Sequence, residues 1–126
     1  MRVNFNLHIA SGKNYPSDHA VVPSDTIMEA SPTLRFNITY PLTKPFEFNQ
    51  THGDGRGWTQ VEFVEALRQS YVRIYESEPD PGHVPGMLNR SISQGPYGIW
   101  GHDLSDLFLE GAVRLGDGSW TLLVGS

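Results

Sequence analysis

Between Gly82 and Gly111 the chain reads GHVPGMLNRSISQGPYGIWGHDLSDLFLEG, which sets ionisable groups beside large aromatic ones. His102 precedes Asp103 directly and Asp106 by four positions. A histidine whose ring is oriented by a carboxylate is the core of a general-base pair, so these three residues could serve a metal-independent hydrolase or lyase. Ser91, Ser93 and Ser105 are available nucleophiles, yet none stands in a G-x-S-x-G elbow. A metal site would draw on His102, Asp103 or Asp106 and on the distant His52 or His83. No HxH or HExxH spacing gathers such ligands, and no metal or cofactor is expected.

The same stretch could instead bind. Tyr97 and Trp100 offer aromatic anchors, and Asn89 and Arg90 can pair with an amide or a carboxylate. His102 follows Trp100 by two, so an extended backbone would point both the same way. A purely structural use competes with all of these. In it the rings dock on the core, and His102 and Asp103 bond backbone groups that an irregular segment leaves unpaired. Two weaker candidates lie elsewhere. In THGDGRG, residues 51 to 57, His52, Asp54 and Arg56 alternate and could meet a small anionic or polar ligand, or form a solvated connector. Tyr15, Asp18 and His19 fall in a Pro-, Ser- and Asp-containing loop over 10–33.

Composition narrows the partners. The chain has 126 residues and no cysteine, which excludes disulfides, thiolate chemistry and cysteine metal sites. Nine Lys and Arg stand against 14 Asp and Glu, a net charge of −5, with no basic cluster. Phosphate neutralisation drives nucleic-acid binding, so nucleic acid and anionic membrane surfaces are disfavoured. No apolar run approaches ~18 residues, and MRVNFNLHIA alternates where a secretory leader would be continuously apolar. A soluble, cytoplasmic protein is expected.

The elements that must position these residues show in the periodicity. Val3, Phe5, Leu7 and Ile9 alternate with polar neighbours, predicting a half-buried strand over 3–9 with His8 on its exposed side. Leu34, Phe36, Ile38 and Tyr40 repeat the pattern over 34–40, ended by Pro41. Phe46 and Phe48 mark a short edge strand. A helix is predicted over 59–78: Thr59 and Glu62 form a capping box, and Phe63, Val64, Leu67, Tyr71, Ile74 and Tyr75 make one apolar stripe. Val61 and Val72 lie nearly opposite that stripe and imply a second contact. Asp103 to Asp106 should form one helical turn. VRLGDGSWTLLVGS then reads as a hairpin turning at Gly116–Ser119.

PGHVPGMLNR and GPYGIWGHDLSDLFLEG resemble a motif in a family of small uncharacterised proteins of plants and fungi. The resemblance runs from about Leu34 to the C-terminus, and IWGHDL is its most specific part. It implies one compact α+β domain, with no known activity attached.

The expected fold is therefore α+β, an antiparallel sheet of four to five strands with one long helix on one face. It forms a single domain over 1–126, with an irregular, site-forming segment at 82–106. The other sheet face, carrying Asn4, Asn6, Arg35, Asn37 and Thr39, should be largely wet, although a homodimer could cover it. The expected function is binding of a small molecule or a protein. The alternative is a hydrolase-like enzyme centred on His102.

Overall fold

Alternating apolar residues become strands because a period of two places every second side chain on one face. In the computed structural model, which describes residues 2–14, 25–78, 96–99 and 103–125, the first such run is β1 (Arg2–His8). It buries Val3, Phe5 and Leu7, and Ile9 just beyond. The run around Phe36 is β3 (Thr33–Ile38), burying Leu34, Phe36 and Ile38. Between them lies β2 (Ile27–Glu29), within the 10–33 loop and inside the Thr26–Ala30 stretch where the sequence allows a short piece of structure. β4 (Phe46–Thr51) extends further than the two phenylalanines alone imply. β5 (Trp58–Thr59) leads into α1 (Gln60–Ser77), and the chain ends with β6 (Phe108–Arg114) and β7 (Trp120–Gly125).

The main sheet has the order β1-β6-β7-β3-β4, and β2 pairs with β5 in a separate two-stranded sheet. The α+β class and the five strands match expectation. The sheet is mixed rather than wholly antiparallel, because β3 and β7 run parallel at Phe36↔Trp120 and Asn37↔Thr121. Strands this far apart in sequence meet through the intervening helix, so no hairpin constrains their direction.

The helix begins where its capping chemistry says it should. Thr59 Oγ1 accepts from the Glu62 N–H at 3.2 Å, and a Glu62 carboxylate oxygen accepts from the Thr59 N–H at 3.1 Å. Phe63, Leu67, Tyr71 and Ile74 are fully buried against the sheet, and a buried leucine contributes about 2 kcal/mol. Phe63 sits at the centre, 5.3 Å from the Trp120 ring edge-on, 5.9 Å from Phe36 and 6.4 Å from Phe5. The Tyr71 hydroxyl donates to the Tyr40 carbonyl at 2.8 Å. Its burial pushes the phenol well above its ordinary pKa, so it stays a neutral donor. The polar sheet face is as expected, with Asn37 and Thr39 exposed and Asn4, Asn6 and Arg35 half-buried.

The terminal hairpin turns through Gly118 at φ 87°, a value that favours glycine. Asp117 Oδ1 accepts from the Ser119 N–H at 2.9 Å and from its hydroxyl at 2.6 Å. His8 is half-buried rather than exposed. Its ring nitrogens lie 2.6 Å from Ser11 Oγ and 2.7 Å from the Ser105 carbonyl oxygen, tying two loops together.

Among the described residues, one charged side chain is buried outright. The Glu29 side chain is 2 % exposed, and its Oε1 accepts from Arg114 Nε at 3.1 Å and Trp120 Nε1 at 3.2 Å. Its Oε2 accepts from the Ser31 N–H at 3.2 Å. Burial opposes ionisation of Glu29. The bonds from Arg114, Ser31 and Trp120, with the guanidinium's charge, outweigh it and hold the pKa below the ordinary 4.5. This carboxylate fastens the β2–β5 sheet to the hairpin.

A depressed folded-state pKa means that the unfolded chain binds the proton more tightly. The stabilisation is complete above about pH 4.5 and is lost as pH falls through the lower folded value. Glu29→Gln is expected to cost about 2 kcal/mol at pH 7 by urea unfolding. The gap to wild type should close under more acid conditions. Equal stability at pH 7 would mean that the clamp contributes nothing.

Candidate functional site

Of the residues singled out from sequence, Asn89, Arg90, Trp100 and His102 lie outside the described residues, as do Tyr15, Asp18, His19, His83, Ser91 and Ser93. Tyr97, Asp103, Ser105 and Asp106 are described. Tyr97 is half-buried, its ring 5.6 Å from Phe46 in an edge contact. The N–H groups of Tyr97 and Gly98 donate to Glu78 Oε1 at 2.6 and 2.9 Å. The Tyr97 carbonyl accepts from the Thr43 and Lys44 amides, at 3.0 and 3.1 Å. This part of the irregular segment is thus pinned to the end of α1 and to the turn after β3, and Ile99 bridges to Leu42.

Asp103 caps a single 3₁₀ turn, Leu104–Asp106, of which Asp106 is the last residue. The Asp103 N–H donates to Asp106 Oδ2 at 3.1 Å, and the Asp106 N–H donates to the Asp103 carbonyl at 3.0 Å. Both carboxylates act on the neighbouring Tyr75. Its burial first, and then their charge, raise its phenol pKa. For the described pair the visible task is closing a turn in front of β6. Among the described residues, no three His, Cys, Asp or Glu side chains gather as metal ligands.

A concavity lies elsewhere, between β4 and α1, with a volume of about 730 Å³. Phe48 and Gln50 supply its β4 side, and His52 and Trp58 close one end. The helix side runs through Val61, Glu65, Gln69, Val72 and Glu76, with Glu62, Ala66, Ser70 and Arg73 beside them. At 100° per residue, those first five fall within about 80° of one another, so they form a continuous stripe along the helix. Val61 is 56 % exposed and Val72 38 %. These are the two valines that lie off the core-facing stripe in sequence.

The closed end is built from the THGDGRG turn. Gly57 passes so close to β2 that an added Cβ would come within 2.4 Å of the Glu29 carbonyl oxygen, and only glycine fits there. Trp58 Nε1 donates to the Pro32 carbonyl at 2.8 Å. The His52 ring stacks on Trp58, centroids 3.9 Å apart and planes 14° apart. Carbonyls of Arg56 and Gly57 lie 3.2 Å from His52 Nδ1, and Glu62 Oε2 lies 3.3 Å from Nε2.

Arg56 completes the corner. Its guanidinium donates to Glu62 at 2.6 Å and to Asp54 at 3.1 Å. Partial burial opposes ionisation of Glu62, but the Thr59 amide and Arg56 prevail and hold its pKa low. The alternating His52 and Arg56 therefore satisfy Glu62 and local carbonyls, and Asp54 steadies Arg56. His52 lines the groove, and Arg56 and Asp54 adjoin it through Glu62.

β4 has a second property. Among the described residues it pairs only with β3, so it is an edge strand. The His52 N–H donates to the Pro32 carbonyl at 2.9 Å, which extends the ladder Thr33↔Thr51 to Ile38↔Phe46 by one hydrogen-bonded pair. Such pairs alternate with non-hydrogen-bonded ones in an antiparallel ladder. Phe46, Phe48 and Gln50 thus aim their backbone groups at β3, and Glu47, Asn49 and Thr51 aim theirs away from it. The 2.8 Å contact between the Thr33 and Thr51 hydroxyls fits a non-hydrogen-bonded pair, whose side chains approach closely.

Comparison with protein-family models, with curated proteins and with solved structures finds no match. No helix among the described residues is long and apolar enough to cross a membrane.

Glu62 is the shared bond acceptor of the helix cap and the groove end, so its loss should be felt in both. Glu62→Ala is expected to cost about 1–2 kcal/mol by urea unfolding. It should also speed proteolytic cleavage in residues 52–57. Unchanged stability and unchanged cleavage would show that the corner is held by other contacts.

Proposed function

We propose that this protein is a non-catalytic interaction domain whose binding surface is the groove between β4 and α1. The observation that carries the reading is the pair of valines. Val61 and Val72 leave apolar surface in water on the wall of a concavity that Phe48 and Trp58 also line. Exposed apolar side chains along a defined groove supply contact surface for a docking partner. The breadth and openness of the cleft suit a macromolecular segment better than an enclosed small ligand.

The polar groups at its closed end favour binding over turnover. Glu62 is engaged by Thr59 and Arg56. His52 is stacked on Trp58 with both ring nitrogens facing acceptors. Groups fixed this way give a rigid wall, which lowers the ordering cost of binding.

Selection of a random peptide display library on the immobilised protein is the test. Ligands recovered from it are expected to lose about tenfold in affinity, ~1.4 kcal/mol, in the double variant Val61→Glu, Val72→Glu. Far-UV circular dichroism and the urea midpoint should stay near wild type, because both side chains already face water. Ligands that bind both proteins equally would place recognition outside the groove.

A further inference from the structure

The occupant can be specified further, on the basis of the groove reading above. We propose that it is an extended segment of a partner protein that adds to β4 as a sixth strand, apolar on its groove-facing side and basic on the other.

Three features point to this chemistry. The first is the backbone. Glu47, Asn49 and Thr51 turn their N–H and C=O groups outward along the edge, at the same spacing as the groups of an incoming strand. A helical occupant, with its own backbone groups satisfied internally, would leave that row unanswered.

The second feature is the position of the groove. A strand laid beside β4 sends alternate side chains to the face that carries Phe48 and Gln50. Those side chains would enter the cleft against Val61, Ala66 and Val72. β1 is the opposite edge of the sheet. There the loop after β1 covers its end, with His8 N–H donating to the Lys13 carbonyl at 2.9 Å.

The third feature is charge. The remaining side chains of the added strand would stand beside Glu47, which is exposed on the other face of β4. On the groove side, Glu65 pairs with Arg68 at 3.5 Å and accepts from Gln69 Nε2 at 2.8 Å, and Glu76 lines the same wall as Arg73. Lysine or arginine on the outward side of the occupant therefore meets Glu47. A second copy of this chain would bring its own Glu47 and a net charge of −5 to the same place, and like charges on paired strands repel.

The experiment uses a fluorescein-labelled peptide of alternating valine and lysine, measured by fluorescence anisotropy at low salt against the intact protein. Binding is expected to weaken about tenfold when backbone N-methyl groups occupy one set of alternate positions. N-methylation of the other set should matter little, since those N–H groups face solvent. The valine–glutamate counterpart should bind wild type more weakly, and Glu47→Lys should reverse that order.

Equal loss from both N-methyl series, or equal binding of the basic and acidic peptides, would overturn the strand-addition proposal. The groove would then still stand if the Val61→Glu, Val72→Glu variant lost binding, and would fall with it if that variant bound normally. Absence of binding at about 1 mM peptide would also overturn the proposal. So would sedimentation showing a stable dimer that Asn49→Pro dissolves, because the edge would then belong to a second copy.

Discussion

The buried carboxylate of Glu29 sets the position of much else. It carries a full charge into the interior, and it is tolerable there only because Arg114, Trp120 and the Ser31 amide all converge on it. Arg114 and Trp120 face each other across the β6–β7 hairpin, whereas Glu29 belongs to the small β2–β5 sheet. The bond network therefore joins two sheets that share no ladder. Because β5 runs directly into α1, fixing β2 also fixes where the helix starts. The buried indole of Trp120 also touches Phe63, so the polar clamp and the apolar core meet at one side chain.

That constraint carries through to the groove. Trp58 forms the closed end only because β5 holds it against β2 and its indole N–H reaches the Pro32 carbonyl. Gly57 permits the close passage over Glu29 that this requires. Glu62 then serves two structures together: it caps the helix through Thr59 and receives Arg56 at the groove corner. The helix crosses the sheet with its buried stripe on Phe36 and Trp120, so its flank faces β4. There it leaves space beside an edge strand. A cleft next to an open row of backbone groups is a surface suited to a strand, and its apolar lining supplies the free energy that hydrogen bonds exchanged with water cannot.

The local elements were legible in the sequence because their causes are local. The Thr59–Glu62 box, the Phe63 to Ile74 stripe, the alternation in β1 and β3 and the Gly118 turn each depend on residues a few positions apart. Val61 and Val72 also stood out as off-stripe, although the sequence could not say what lay across from them. The rest depends on long-range pairing. Glu29 and Arg114 are 85 residues apart, and nothing near Glu29 marks it as buried. The parallel contact between β3 and β7, which puts β4 at the sheet edge, leaves no local signature either.

The candidate site shows the same division. Composition drew attention to 82–106, where Tyr97 is docked by Glu78, and Asp103 and Asp106 close a turn. A groove formed by two elements separated by the THGDGRG turn has no compositional mark beyond two exposed valines and a Gly-rich corner. Its signal would have been the mismatch between an amphipathic helix and apolar residues on its wet side.

Amide hydrogen exchange along β4, followed by NMR with and without a display-selected peptide, tests the edge most directly. In the free protein the amides of Phe46, Phe48 and Gln50 should exchange slowly, and those of Glu47, Asn49 and Thr51 quickly. Saturation with peptide should protect the second set. Binding that leaves Glu47, Asn49 and Thr51 as labile as before, or protection of those three in the free protein, would contradict the account.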